Sequence, residues 1–269
     1  MDRSAQYLVV VAVLLVISLL VTPMTPVSYY VPNEFSSPKF AFAFARGCDG
    51  AITDENELFD GPVALFGSPA RWNLLKQAQA EGRDFYYGDH GYFQRKKYYR
   101  VTKNGYQHDG SGPATPDRFI RFRRDVQPWR RSGSHIIVCP NSWVYCNLHG
   151  FDVRDWIADV TRTLREHTDR EIRVRWKTDV TPIEFDLVDC WACIVFSSAA
   201  ALDALIAGVP AFVLAPFAAG ARMGLSDLTR IESPLLPDGR EPFLWKLADQ
   251  QWTLPEIFEG RAWDALQRS

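Results

Sequence analysis

The stretch Ile194-Val-Phe-Ser-Ser-Ala-Ala-Ala-Leu-Asp-Ala-Leu-Ile-Ala-Gly-Val-Pro210 decides the fold. Its apolar beginning predicts a buried strand, and Ser197 and Ser198 then open a helix of small residues. Gly208 ends that helix, and residues 210–214 form the next strand. A strand, a short turn, a helix and another strand in this order indicate a parallel α/β unit.

Similar patterns continue along the rest of the chain. Strands are predicted at residues 40–45, 63–66, 84–87, 135–139, 171–175 and 192–196, and helices at 69–80, 152–167 and 183–189, with two short helices from residue 240 on. Residues 102–133 lose this periodicity and predict a crossing between two lobes. The fold class is therefore α/β, with two Rossmann-like lobes facing a cleft and an apolar segment in front of them.

Three parts of the chain follow from these patterns. Residues 1–38 are predicted to be an apolar N-terminal segment and a proline-rich linker, residues 39–133 an N-terminal lobe with a basic connector, and residues 134–269 a C-terminal lobe with terminal helices. Tyr7–Val21 is an apolar run broken only by Ser18. Because a spanning helix needs about 20 apolar residues, this run favours a signal peptide or a short anchor that contacts a membrane. A buried strand and a misplaced start codon are the other interpretations.

Composition narrows the class of protein. The 269 residues are 47% hydrophobic and 23% charged with a net charge of -2, which excludes a disordered chain and a polycation. The charge is uneven, because Arg95–Arg131 holds eleven Lys or Arg against three Asp. This stretch predicts either an anionic partner, such as phosphate, nucleic acid or a membrane surface, or a solvated connector.

The cysteines and the missing motifs exclude several other classes. The five cysteines do not form a dense framework, so buried structural thiols are favoured over disulfides or a zinc site. There is no G-x-x-x-x-G-K-[ST], which argues against a P-loop enzyme, and no G-x-G-x-x-G after a strand, which weakens a dinucleotide oxidoreductase.

The turn Ser197-Ser198-Ala199 is the first candidate site. Backbone N–H groups at a helix start, the helix dipole and two hydroxyls together favour an anion at the carboxyl end of a strand. The alternative is an ordinary strand-turn-helix with serine as the cap. Arg175 and Lys177 alternate along a predicted strand and point the same way, so they predict a contact with phosphate groups. A solvated edge strand with paired charges is the alternative interpretation.

Asp89 and His90 form the second candidate site. They follow a predicted strand and lie between Gly88 and Gly91, where the backbone can approach a ligand closely. Either side chain could accept a proton from a hydroxyl group. A polar turn at the end of a strand is the alternative.

The stretch at 194–210 resembles the C-terminal domain of GT-B-type glycosyltransferases, in which a strand, a Ser-rich turn, a small-residue helix and Gly-x-Pro follow one another. Residues 170–177 and 247–257 also look like uncharacterised phage and bacterial glycosyltransferase-like proteins, and the similarity extends over about residues 135–265. The resemblance implies that Ser197, Ser198 and Ala199 face the donor phosphates. It implies that Asp203 lies near the donor sugar or ribose, although many relatives carry Glu there.

The activity that this resemblance implies is transfer of a sugar from a nucleotide-sugar to a hydroxyl group in a compact GT-B-like enzyme. The cysteines fit a reducing compartment and so favour a cytoplasmic location. The N-terminal lobe would hold the acceptor, either a surface glycan or a hydroxymethylated base of phage DNA. Asp89 would be the base with His90 as its substitute, and neither a cofactor nor a metal would be required. A non-catalytic nucleic-acid or membrane-binding protein on a degenerate α/β scaffold is the alternative from another class.

Overall fold

The computed structural model describes residues 24–95 and 97–268, which form two lobes, each built on a sheet with parallel strands. The strands are β1 (Val27–Tyr29), β2 (Ala51–Thr53), β3 (Val63–Phe66), β4 (Phe85–His90), β5 (Tyr98–Lys103), β6 (His135–Cys139), β7 (Glu171–Val174), β8 (Cys190–Val195), β9 (Ala211–Val213) and β10 (Trp252–Thr253). The helices are α1 (Ser37–Gly47), α2 (Trp72–Ala80), α3 (Asp117–Ile120), α4 (Trp143–Leu148), α5 (Val153–Arg165), α6 (Ile183–Asp186), α7 (Ala200–Ile206), α8 (Arg240–Asp249), α9 (Leu254–Phe258) and α10 (Arg261–Gln267). The predicted α/β class with Rossmann-like lobes is confirmed.

Both sheets order their parallel strands in the same way. The first sheet runs β10-β5-β4-β3-β1-β2, and the second runs β7-β6-β8-β9. In each sheet the first strand in the chain lies between the second and the third, and the fourth strand follows the third. Strands β5 and β10 extend the first sheet antiparallel to their neighbours. This doubly wound order brings the loops after the parallel strands to one edge of each sheet, where ligands bind in such folds.

Helices cover both faces of each sheet, so both sheets have a buried interior. On the first sheet, α1, α9 and α10 pack on one face through Phe40, Phe44, Ile257 and Ala262, and α2 packs on the other through Leu74, Leu75 and Ala78. On the second sheet, α5 covers one face with Val160 and Leu164, while α7 and α8 cover the other. Two faces buried in this way explain the continuous apolar runs in β3, β6 and β8.

Residues 40–45 form the middle of helix α1, so the predicted strand there is wrong. The alternating Phe and Ala also satisfies a helical spacing, because Phe40 and Phe44 are four residues apart and stack at 5.7 Å. Phe44 is 1% exposed, whereas Phe42 is 60% exposed on the opposite face. Alanine is the best helix former, and Pro38 occupies the first turn, where it needs no hydrogen-bond partner.

The predicted linker at residues 22–38 contains strand β1, which corrects that part of the sequence interpretation. Ser28 and Tyr29 are fully buried, and β1 lies in the sheet between β2 and β3. Three residues between flanking prolines are too few for an alternating pattern to be visible.

The apolar run Tyr7–Val21 lies outside the described residues, and the domain limits stay a prediction.

The C-terminal residues form three helices instead of the two predicted, and the last two of these helices return to the first lobe. Strand β10 pairs with β5, and α9 and α10 pack beside α1. Thr253 and Glu256 form a reciprocal capping box at the start of α9. Glu256 also accepts two hydrogen bonds from Arg118 of the connector. Burial would raise the pKa of Glu256, but these contacts outweigh burial, and the pKa falls to about 2.

Within residues 24–95 and 97–268, no helix has the length and apolar character that a bilayer span requires.

Candidate functional site

A cavity of about 580 Å³ lies between the two lobes, at the edge where the strands of both sheets end. Every residue predicted to form the site lines this cavity: Asp89, His90, Arg175, Lys177, Ser197, Ser198, Ala199 and Asp203. The structure therefore brings together two candidate sites that are about a hundred residues apart in sequence. The lining also includes residues that the sequence did not single out, among them Arg95, Arg100, Gln107, Arg124, Asn141 and Tyr145.

The turn after β8 is held in place by two amide side chains. The Ser197 N–H donates to Asn141 Oδ1 at 3.2 Å, and Asn141 Nδ2 donates to Ser197 Oγ, also at 3.2 Å. Gln107 Nε2 donates to the Ser197 carbonyl at 2.9 Å, and Gln107 Oε1 accepts from the Ala219 N–H at 2.9 Å. Ser197 is 2% exposed. Its amide and hydroxyl thus help to fix the turn, and its contact with a donor phosphate stays a prediction.

Ser198 and Ala199 keep their backbone donors available. Within the described part of the chain, neither N–H has a hydrogen-bond partner, and both residues line the cavity half-buried. The Ser198 hydroxyl accepts from the Ala200 N–H at 3.3 Å, and no side chain caps helix α7 at Ala199. Two adjacent amides at the carboxyl end of a strand are suited to oxygen atoms of an anion.

Three arginines of the cavity are neutralised by carboxylates. Arg175 donates to Asp186 at 2.6 Å and to the Thr181 carbonyl at 2.5 Å, so its predicted role at a phosphate would require it to leave these partners. Arg124 donates to Asp203 at 2.6 Å, and Arg100 donates to Asp89 at 2.5 Å. These pairs hold side chains at fixed positions and remove much of the positive charge.

Lys177 and Arg95 are the two cations of the cavity for which the described residues provide no ion pair. Their side chains are open to solvent inside the cleft, and they come from opposite lobes. Desolvation within the cleft and then the positive charge of Arg95 lower the pKa of Lys177. Arg95 was noted in the sequence only as the start of the basic stretch, and it is the strongest addition that the structure makes to the site.

Asp89 and His90 differ in their ability to accept a proton. Burial would raise the pKa of Asp89, but the nearby Arg100 and Arg95 outweigh it and lower the pKa. Burial lowers the pKa of His90, so its ring is neutral near pH 7. His90 Nδ1 is buried with no hydrogen-bond partner among the described residues, whereas Asp89 accepts from Arg100 and from the His90 N–H. Asp89 is therefore already engaged by two donors, and His90 is the less committed of the two as a proton acceptor.

Asp203 lies on α7, one turn after the Ser197–Ala199 turn, and lines the same cavity. Burial raises its pKa, and Arg124 offsets only part of that rise. The carboxylate is bound on one oxygen by Arg124, which leaves its second oxygen able to accept from a ligand hydroxyl. Its placement is compatible with the role that the resemblance implies, and that role stays a prediction.

Among the residues missed in the sequence, Asn141 had a visible signal. It follows strand β6 in the polar sequence Pro140-Asn-Ser142, just as Ser197 follows β8. Polar residues after adjacent parallel strands meet at one edge, so Asn141 could have been paired with Ser197 in advance. Gln107 lies in a loop with no pattern of its own, and its contact with Ser197 could be found only from the fold.

All five cysteines are free and buried, in agreement with the prediction of buried thiols. Within residues 24–95 and 97–268, no group of three or more His, Cys, Asp or Glu is arranged to hold a metal ion.

No protein-family model matches the chain, and no curated protein sequence matches it. Among solved structures, the fold is similar to KpsC of Thermosulfurimonas dismutans, described as a β-Kdo 2,4-transferase, with 12% identity over 85% of this chain and 92% of that chain and a TM-score of 0.50. KpsC of the same organism described as a β-Kdo 2,7-transferase matches at 13% identity over 89% and 99%, with a TM-score of 0.49. At this identity the first likeness shows the fold alone, a glycosyltransferase-like α/β fold, and the second is too distant to carry an argument. The GT-B arrangement and the phage family stay expectations.

Proposed function

We propose that this chain is a glycosyltransferase that moves a sugar from a nucleotide-sugar to a hydroxyl group. One observation carries the proposal: a single cleft between two α/β lobes holds, on one side, a turn whose Ser198 and Ala199 N–H groups have no partner among the described residues and, on the other, a histidine whose pKa is lowered by burial. The fold of a solved sugar transferase over 85% of the chain supports the same activity class. Transfer to a hydroxyl needs both parts, because a charged leaving group must be stabilised and a proton must be removed.

In this proposal the donor phosphates bind at the turn after β8. The N–H groups of Ser198 and Ala199 donate to phosphate oxygens, while Asn141 and Gln107 hold the turn in position through Ser197. Because these donors are fixed before the ligand arrives, they favour the charge that develops on the leaving phosphate without any rearrangement. Asp203, at the next turn of α7, accepts from a hydroxyl of the donor ribose or sugar.

The acceptor hydroxyl would lie beside β4, where His90 removes its proton. The ring of His90 lies between Phe66 at 5.3 Å and Tyr99 at 5.7 Å, which fixes its orientation. Asp89 is committed to Arg100 and serves to position the strand end. This assignment exchanges the order of the two candidate bases expected from the sequence.

The acceptor is more compatible with a glycan than with DNA. The DNA hypothesis depends on the basic stretch at residues 95–131, yet several of its arginines bind inside the protein: Arg118 with Glu256, Arg124 with Asp203 and Arg130 with the Leu187 carbonyl. Carboxylates neutralise Arg118 and Arg124, so these two side chains contribute little to a contact with a phosphodiester backbone, which weakens the DNA hypothesis. A membrane contact through Tyr7–Val21 and a donor without a metal remain part of the proposal.

The test is a panel of nucleotides and nucleotide-sugars, including UDP- and CMP-linked sugars, screened by thermal shift with the full chain. A nucleotide that binds only the native state raises the melting temperature. The hit is then assayed for sugar release and transfer. A chain that is stabilised by no nucleotide and releases no sugar would be a binding protein instead of a transferase.

A further inference from the structure

The positive charge of the cavity is not balanced evenly. Five cationic side chains line it with two carboxylates, Asp89 and Asp203, and both carboxylates are engaged by arginines at 2.5 and 2.6 Å. Arg175 has its own partner just outside, Asp186. Arg95 and Lys177 are left with their full charge, and both are accessible from the cleft.

Lys177 reaches the cavity from another element than the turn at Ser198 and Ala199. It follows strand β7, and β6 separates β7 from β8 in the sheet. Two strand spacings place the end of β7 about 10 Å from the end of β8, where Ser198 and Ala199 lie. Arg95 belongs to the loop between β4 and β5 of the first lobe and lines the same cavity. The two cations therefore enter the cavity from elements other than the donor turn, one from each lobe.

The surroundings of the pair favour an anion between the two side chains. The groups that act on Arg95 are Asp89, Arg100 and Asp203, and those that act on Lys177 are Arg95 and Asp89. The two acids are already held by Arg100 and Arg124, so the remaining interaction between Arg95 and Lys177 is repulsive. An oxyanion placed between them would relieve that repulsion and accept hydrogen bonds from a guanidinium and an ammonium group at once.

We propose that Arg95 and Lys177 form a second oxyanion site, shared by the two lobes, that binds a carboxylate or phosphate group of the acceptor or of the transferred sugar. This site rests on the proposed function, because it lies in the same cleft, but it adds that the substrates carry a negative charge beyond the donor phosphates.

The experiment is calorimetric titration of the full chain with two oxyanion probes, inorganic phosphate and glucuronate, each in saturating UDP and without it. Glucose serves as the neutral probe. The variants are Arg95→Gln and Lys177→Gln, and the matched control is Lys97→Gln, an exposed cation of the same loop that does not line the cavity. We expect each site variant to bind one of the oxyanion probes about 10- to 100-fold more weakly, as the loss of a hydrogen bond between charged groups would cause. The control variant should bind both oxyanion probes like the native chain, and the affinity for glucose should be the same in all variants.

The two probes separate a carboxylate source from a phosphate source, since the better ligand identifies the group. The second site is refuted if the two variants bind both probes as tightly as the native chain does. It is also refuted if the native chain binds neither probe. If both variants lower the affinity for UDP as much as the affinity for the probes, Arg95 and Lys177 bind the donor phosphates and there is no separate site. If UDP does not bind but the probes depend on Arg95 and Lys177, the second site stands and the nucleotide-sugar proposal fails.

Discussion

Deleting one backbone donor of the turn is the sharpest test of the phosphate site. Ala199 has φ = -63°, which matches the angle that proline imposes, and the Ala199 N–H has no partner within the described residues. The substitution Ala199→Pro therefore removes a donor without breaking an existing hydrogen bond. Ala199 precedes the first residue of α7, where proline is tolerated, so we expect the free energy of unfolding without ligand to change by less than about 1 kcal/mol.

The expected loss in binding is large enough to measure. A hydrogen bond to a charged group contributes about 1.5–3 kcal/mol, so the variant should bind the nucleotide roughly 10- to 100-fold more weakly. A ligand at 100 times its Kd stabilises the native state by about 2.7 kcal/mol, and a tenfold loss of affinity would reduce this to about 1.4 kcal/mol. Calorimetry and the melting temperature with and without nucleotide both report the change.

The control is Ala199→Ser, which keeps the N–H and the small size at this position. It should bind the nucleotide like the native chain. If Ala199→Pro melts like the native chain without ligand and also binds the nucleotide with unchanged affinity, the turn does not grip the phosphates. The proposed orientation of the donor would then be wrong, whatever the activity of the protein.

Three further predictions concern the base, a buried ion pair and helix α1. His90→Gln should lower kcat by about 100-fold or more. The rate of the native enzyme should fall as the pH drops through the pKa of His90, which lies below 6.5. If the native chain and the variant have the same pH–rate profile, His90 is not the base. Arg100→Met removes the ion-pair partner of Asp89, whose side chain is 20% exposed and keeps the His90 N–H as a donor, so the free energy of unfolding in urea at pH 7 should fall by about 1.5–3 kcal/mol. Because the fold lowers the pKa of Asp89 beneath its usual 3.8, this stabilisation is present above that value and is lost as the pH falls through the folded pKa, so the two proteins should converge in acid. Phe44→Ala should cost about 3–5 kcal/mol, whereas Phe42→Ala, its exposed neighbour on the same helix, should change the free energy of unfolding by about 0.5 kcal/mol or less.

The C-terminal lobe could be predicted well from the sequence because its signals are local. Strand β8, its serine turn, helix α7 and Gly208 follow one another within about twenty residues, and Gly208 has φ = +74°, as a residue that ends a helix in the left-handed region does. Asp152, at the start of the predicted helix 152–167, caps α5 with its side chain. Each of these features is decided by neighbours in the chain.

The first lobe was harder to predict because its signals depend on distant partners. Strand β1 is three residues long and is stabilised by pairing with both β2 and β3. Helix α1 carries a period-two pattern that suits a strand, and only its packing on β3 and β4 makes the helical face the buried one. Local pattern and tertiary packing disagree at these two places, and packing decides.

The candidate site shows the same division between local and distant information. The eight residues chosen from the sequence meet in one cavity because each lies at or after the carboxyl end of a parallel strand, or in the turn or helix that begins there, a position that sequence patterns reveal. Their charge states are set by partners that no local pattern shows: Arg100 takes up Asp89, and Asp186 takes up Arg175. These pairings change the roles expected from the sequence. With Asp89 and Arg175 engaged, His90 is the available base and Lys177 is the available cation. The chemistry of the cleft therefore depends on which charges the fold has already neutralised, and substitutions at Arg100 or Asp186 should alter function through the partner that each one releases.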